Sequence, residues 1–334
     1  MKATRLDYIS ILRVLCILVV VFFHCYGMMY AESHFPDSVS AYESLYFLPN
    51  QCIFINVAMP MFIYISGYLF QFLLKNNKYS TWKNLLEKKG IRILTPYFAF
   101  GLFFMATTGN FHPLRLFLGT YWHLWFLPML FWCFVVGYGV YKLKLSKWLE
   151  GVLLLLSYCG VFLPMIFPRW MGINYISDSF YWFYLGMLMY KYREGISRFL
   201  IKYKLHLLLL LISIMLICSF PVEYGDGNTW YSCLSVTAFV VSFSFLLKEV
   251  DWNKYRITSF VVDFSTYSFG IYIWHNWVAL MLISKTSKNL FGLPELAANH
   301  LILFPLCFSL LTLAISWGIS WCMMKTKVGR FLIG

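Results

Sequence analysis

The stretch Arg13-Val-Leu-Cys-Ile-Leu-Val-Val-Val-Phe-Phe-His24 decides the fold. It lies inside an apolar run from Ile9 to Tyr26 with the length and composition of a membrane-crossing helix. Eleven helical steps of about 100° return His24 to within roughly 20° of the face that carries Arg13, roughly 16 Å further along. A permanent cation and a titratable imidazole are costly on one face of such a helix, which makes both functional candidates. Each also has a structural explanation alone: Arg13 as a snorkelling residue that fixes topology, His24 as a histidine hydrogen-bonded to a neighbouring helix. Their common face favours a joint role.

Working outward, the chain of 334 residues is 60% hydrophobic and only 12% charged, with a mean hydropathy of +0.68. A soluble chain carries about twice that charged fraction, so the composition indicates an all-α, polytopic membrane protein. Apolar runs between charged or turn-rich breaks predict about ten spans, near 9–30, 50–74, 91–108, 122–141, 149–167, 177–191, 205–221, 230–247, 259–284 and 301–323. A basic start before an apolar run also fits a signal peptide. This run is long, lacks a small-residue cleavage pattern and carries the Arg/His pair, so it reads as the first span.

The charges test the span count independently of hydropathy. Of the 27 basic residues, 23 fall at the termini, at Arg13 or in the even-numbered gaps, and only Arg115, Arg169, Lys285 and Lys288 fall in the odd ones. Acids such as Glu32, Asp37, Glu43, Glu223, Asp226 and Glu295 occupy the odd gaps. Positive charge marks the cytoplasmic side, so both termini are expected inside. The same asymmetry accounts for the net charge of +13 without a nucleic-acid partner. Nine scattered cysteines show no Cys-x-x-Cys or Cys/His metal spacing and read as small core residues. No linker, low-complexity tract, soluble domain or internal repeat stands out, so the chain reads as one membrane-embedded domain, 1–334.

Further polar residues are embedded in later spans. Met59-Pro60-Met61-Phe62-Ile63-Tyr64-Ile65-Ser66-Gly67-Tyr68 lies on the second, where Gly67 suits close helix approach and Ser66 is a candidate donor. The run Lys88-Lys89-Gly-Ile-Arg92-Ile-Leu-Thr-Pro96 reads either as topology or as a phosphate dock. The fourth span opens with Tyr121-Trp122-His123-Leu124-Trp125-Phe126-Leu127-Pro128, where Trp122 suits an interfacial belt. The ninth carries Phe269-Gly270-Ile271-Tyr272-Ile273-Trp274-His275-Asn276. His24, His123 and His275 are thus expected at similar depth on three helices.

In order and spacing these residues together resemble the acyltransferase-3 family of integral-membrane acyltransferases, along most of the chain. The signs are Arg-x10-His, Pro-Met-Phe-Ile-Tyr-Ile-Ser-Gly-Tyr-Leu, Arg-Ile-Leu-x-Pro, His-Leu-Trp-Phe-Leu and Tyr-Ser-Phe-Gly-Ile-Tyr-Ile-Trp-His. The likeness is to the short members that acylate enterobacterial common antigen and other surface polysaccharides. Two positions depart from the family pattern: Ser10 stands where an acid is frequent, with Asp7 a turn earlier, and Val14 follows the arginine.

The resemblance implies an O-acyltransferase of the bacterial cytoplasmic membrane. It implies acetyl-CoA or succinyl-CoA as donor, a cell-surface or lipid-linked glycan as acceptor, and no metal. Membrane lipids are the remaining partner, and self-association stays open. Under it, Arg13 is expected to hold donor phosphates with Lys88, Lys89 and Arg92. His24 is expected to act as general base or to form an acyl-histidine. His123 or Trp125 would orient the acceptor or polarise the thioester, Ser66 and Tyr68 would line the channel, and His275 would contact substrate. A glycan exporter or flippase without acyl transfer remains the alternative, because a polar track serves a sugar as well as an acyl arm. A non-catalytic scaffold fits poorly with so many embedded ionisable groups.

Overall fold

The computed structural model describes residues 7–30, 57–162, 167–219, 230–286, 300 and 303–334, and among them every regular element is helical. Among the described residues, four helices are long and apolar enough to cross a membrane: Asp7–Met28, Trp82–Thr108, Trp122–Leu143 and Leu303–Met324. The chain divides into two compact units, Met1–Met59 with Val250–Gly334, and Pro60–Glu249.

Helix α1 (Asp7–Tyr30) opens the first unit. The second unit begins with α2 (Met59–Lys75) and α3 (Trp82–Lys89), whose N-cap Thr81 accepts the Asn84 amide. A π-helical segment, Gly90–Leu94, joins α3 to α4 (Thr95–Thr108). Pro96 falls in the first turn of α4, where its missing N–H costs nothing, and Gly109 ends the helix at φ 73°. The third span expected at 91–108 therefore continues back to Trp82.

A short α5 (Arg115–Leu118) and a 3-10 turn, Trp122–Trp125, lead into α6 (Phe126–Leu143). Next come α7 (Lys147–Gly160), a 3-10 turn over Trp170–Tyr175 and α8 (Ile176–Lys191). Helix α7 stops well before the expected 167, and residues 163–166 lie outside the described set. Helix α8, the shortest span expected from hydropathy, is buried along most of its length and packs on α6 and α7. Its contact with α2 is backbone on backbone. A Cβ at Gly67 would overlap the Phe183 carbonyl, and one at Gly186 would overlap the Tyr64 carbonyl. The close approach expected at Gly67 is thus present, and Gly186 is its counterpart. Helices α9 (Arg193–Lys202), α10 (Leu205–Ser219) and α11 (Trp230–Glu249) complete this unit, with α10 against α11.

The first unit resumes with α12 (Ile257–Ser265), α13 (Ser268–Thr286), α14 (Leu303–Met324) and α15 (Lys327–Ile333). Helix α1 packs against α12, α13 and α14. The span expected at 259–284 is broken between α12 and α13. Ser265, Thr266 and Ser268 each turn a hydroxyl back onto a carbonyl three residues earlier, at 2.6, 2.7 and 2.8 Å. Such bonds compete with the helical ladder. Helix α14 contributes a fully buried stripe of small hydroxyl residues, Ser309, Thr312, Ser316 and Ser320, and Gly270 lets α13 approach Ser320.

Of the described cysteines, Cys16, Cys25, Cys133 and Cys233 are buried, whereas Cys159, Cys307 and Cys322 are exposed on apolar helices. The acids expected in the odd-numbered gaps at 32, 37, 43, 223, 226 and 295, and Lys2, Arg5 and Lys288, lie outside the described residues.

Candidate functional site

Three of the expected residues belong to the first unit. Arg13 and His24, both half-buried, stand on α1, and His275 on α13 is fully buried. The imidazoles of His24 and His275 lie 5.1 Å apart, centroid to centroid, with planes inclined by 46°. His275 is oriented by its own helix: Nδ1 lies 2.7 Å from the Tyr272 carbonyl oxygen and 3.2 Å from that of Ile271. A carbonyl only accepts, so Nδ1 carries the proton, and in the neutral ring Nε2 holds the lone pair. The motif that supplies His275 also supplies Gly270, whose contact with α14 sets the position of α13.

In the second unit, Ser66 donates from Oγ to the Phe62 carbonyl at 2.9 Å, the helical back-bond of a serine at a packed interface. Tyr68 is buried and meets the Tyr190 ring edge-on at 5.1 Å. The basic run is concentrated where α3 passes into the π segment. Lys88 and Arg92 are exposed. Lys88 donates to the Lys78 carbonyl at 3.4 Å, and its Nζ lies 6.0 Å from the Tyr79 ring. Lys89 differs: its Nζ sits 3.4 Å from the Phe134 centroid, 5.5 Å from Tyr79 and 5.7 Å from Phe70. That ammonium is held by ring faces, while Lys88 and Arg92 offer cations to solvent.

His123 and Trp125 sit at the opposite end of α6, on the 3-10 turn that precedes it. His123 is buried, with its ring 6.1 Å from that of Phe104. Trp125 packs against Tyr175 at 4.8 Å. Of the three histidines expected at one depth, His24 and His275 are adjacent in one unit, and His123 belongs to the other. Among the described residues, no three His, Cys, Asp or Glu side chains gather where a metal could be held.

Sequence reasoning passed over a polar cluster at the lysine-rich end of α6. Glu150 is buried on α7 and accepts from Lys191 at 2.5 Å and from the Tyr192 hydroxyl at 2.6 Å. Burial and the Glu150 bond both push the Tyr192 phenol above its ordinary pKa. A cavity of about 350 Å³ beside this cluster is lined by Gln71, Lys142, Lys144 and Tyr184 among others. One acid among so many lysines was its only sequence signal.

Among the described residues every regular element is helical, the first unit holds the adjacent pair His24 and His275, and the second holds the exposed Lys88 and Arg92. Residues 6–321 match an acyltransferase domain, and the chain belongs to the acyltransferase-3 family. It is therefore an acyltransferase by family and, by its apolar helices, a membrane protein. Among curated proteins it is similar to two sequences from Staphylococcus epidermidis, one of them from strain RP62A. Both are named "Probable poly-beta-1,6-N-acetyl-D-glucosamine export protein". Each is 25% identical over 363 residues, covering 100% of this chain and 96% of the relative. No solved structure matches the chain.

Proposed function

We propose that the protein transfers an acyl group, most simply acetyl, from cytoplasmic acyl-CoA to a hydroxyl of a cell-surface or lipid-linked polysaccharide. In this reading 1–334 is one membrane-embedded domain of about ten spans in the bacterial cytoplasmic membrane, with both termini inside. The observation that carries it is the pairing of His24 with a tautomerically fixed His275. Acyl transfer to a sugar requires a group that removes the hydroxyl proton as oxygen attacks the thioester carbonyl, and an imidazole is suited to that near neutral pH. The carbon–sulfur bond then breaks, the CoA sulfur receives the proton, and an ester remains on the sugar. A covalent acyl-histidine at His24 is the two-step variant.

Arg13 is assigned to the donor's phosphates. Its distance from His24 along α1, roughly 16 Å, suits an extended pantetheine arm. Lys88 and Arg92, exposed beside the π segment, are assigned to the same anions, with Lys89 as a caged neighbour. Trp125 and His123 are assigned to the acceptor, and Ser66 and Tyr68 to the lining of the path. The polysaccharide as acceptor is supported by the name of the staphylococcal relatives.

That name also favours a second reading, polysaccharide export without acyl transfer. Purified protein in detergent separates the two, because no transport occurs there. Transfer of label from acyl-CoA to added glycan is the expected result. Its absence, with the glycan still crossing vesicle membranes that hold the protein, selects export.

A further inference from the structure

Two of the four arginines and lysines that charge patterning leaves on the outer side, Arg115 and Arg169, line one cavity of about 440 Å³. That volume is ordinary for a small-molecule site. The cavity lies in the second unit at the Trp125 end of α6, and Thr120, Asn174 and Tyr175 are part of its wall.

Both arginine-bearing segments are tied to the helices beneath them. The Tyr97 hydroxyl donates to the Leu116 carbonyl at 3.0 Å and pins α5, which carries Arg115. The Trp132 Nε1–H donates to the Met171 carbonyl at 3.1 Å and pins the turn after Arg169. That turn is unusual backbone, with Met171 at φ 44° and Gly172 at φ 67°. It brings Asn174 inward, 3% exposed, and lays Tyr175 against Trp125 at 4.8 Å. Neither guanidinium forms an ion pair or hydrogen bond among the described residues.

We infer that this cavity is a subsite for an anionic sugar, with Arg115 and Arg169 taking a carboxylate or phosphate carried by the acceptor glycan and Tyr175, backed by Trp125, facing the pyranose ring. Guanidinium forks recognise such oxyanions in bidentate fashion. Two of them without carboxylate partners leave a charge that a neutral sugar does not satisfy. An aromatic plate beside them supplies the apolar contact that free phosphate does not use. The inference rests on the acyl-transfer reading for its acceptor role and narrows that acceptor to an anionic glycan.

The test is equilibrium dialysis of full-length protein in nanodiscs with labelled glucuronic acid, glucose 1-phosphate, glucose and inorganic phosphate. At least one charged sugar is expected to bind about ten-fold or more tightly than glucose and than free phosphate, and which one it is identifies the oxyanion. Arg115→Gln and Arg169→Gln should each erase that preference, and Arg115→Lys should restore part of it. Thermal melting of each variant reports folding, which two exposed side chains leave intact. Equal binding of glucose, equal binding of free phosphate, or a preference unaltered in both Gln variants overturns the subsite. Acyl transfer assayed in parallel keeps the two readings apart. Arginine-dependent binding without any transfer removes the enzyme reading alone. Transfer to a neutral glycan that persists in the double Gln variant removes the subsite alone.

Discussion

His275 Nδ1 is bonded to the carbonyls of its own helix while its ring stands 5.1 Å from that of His24, so backbone contacts of α13 help set the second imidazole beside the first. In the proposed reaction the two rings have unequal duties, His24 taking the proton and His275 orienting it. His24→Ala is expected to insert and melt as the wild type yet lose acyl transfer by about 10²–10⁴-fold. His275→Ala should lower kcat by less and leave the KM for donor in place. Wild-type glycan acylation in the His24 variant removes that residue from the chemistry. A His275 effect confined to melting temperature makes it structural.

Arg13 tests the donor end of the same helix. Arg13→Ala should raise the acyl-CoA concentration needed for half-maximal transfer, with kcat less affected. Arg13→Lys should recover only part, because an ammonium lacks the bidentate fork. Saturation curves identical to wild type would leave Arg13 as a residue of topology.

The three cations of the basic run should separate by experiment. Lys88→Ala and Arg92→Ala are expected to weaken donor saturation, since both side chains face solvent. Lys89→Met should instead act on stability, by about 1 kcal/mol, the scale of a cation–π contact. Its Nζ is committed to the Phe134 ring at 3.4 Å. Donor saturation shifted as strongly in Lys89→Met as in Lys88→Ala would show that the ammonium leaves its rings to meet phosphate.

The α2–α8 crossing leaves no volume for a methyl group. Gly67→Ala and Gly186→Ala each drive a Cβ into a backbone carbonyl, and overpacking of this kind costs about 1–3 kcal/mol. Both variants should melt earlier and yield less folded protein. Gly139→Ala on α6 meets only the rim of Trp82 at 3.6 Å and should be nearly silent, which makes it the matched control.

The helical class, most helix positions and the crossing at Gly67 were legible in the sequence, because hydropathy and small-residue spacing act locally. The break at Thr266 was not, since it depends on hydroxyls choosing carbonyls over solvent, and an apolar window averages them away. The pairing of His24 with His275 was legible only as common depth, and depth alone placed His123 with them. The aromatic cage of Lys89 and the convergence of Arg115 on Arg169 join residues distant along the chain, so no window contains them. Arg115 and Arg169 even read as exceptions to a charge rule, and folding is what turns them into a cavity.

The π segment Gly90–Leu94 underwinds the rod between the basic run and the apolar stem of α4. Its i→i+5 bonding puts more residues into the turn than an α-helix holds. The angular setting of Lys88 and Lys89 relative to the greasy portion beyond Pro96 is consequently fixed by this segment. Excising one residue from this segment would swing the whole charged tip about the axis in a single step.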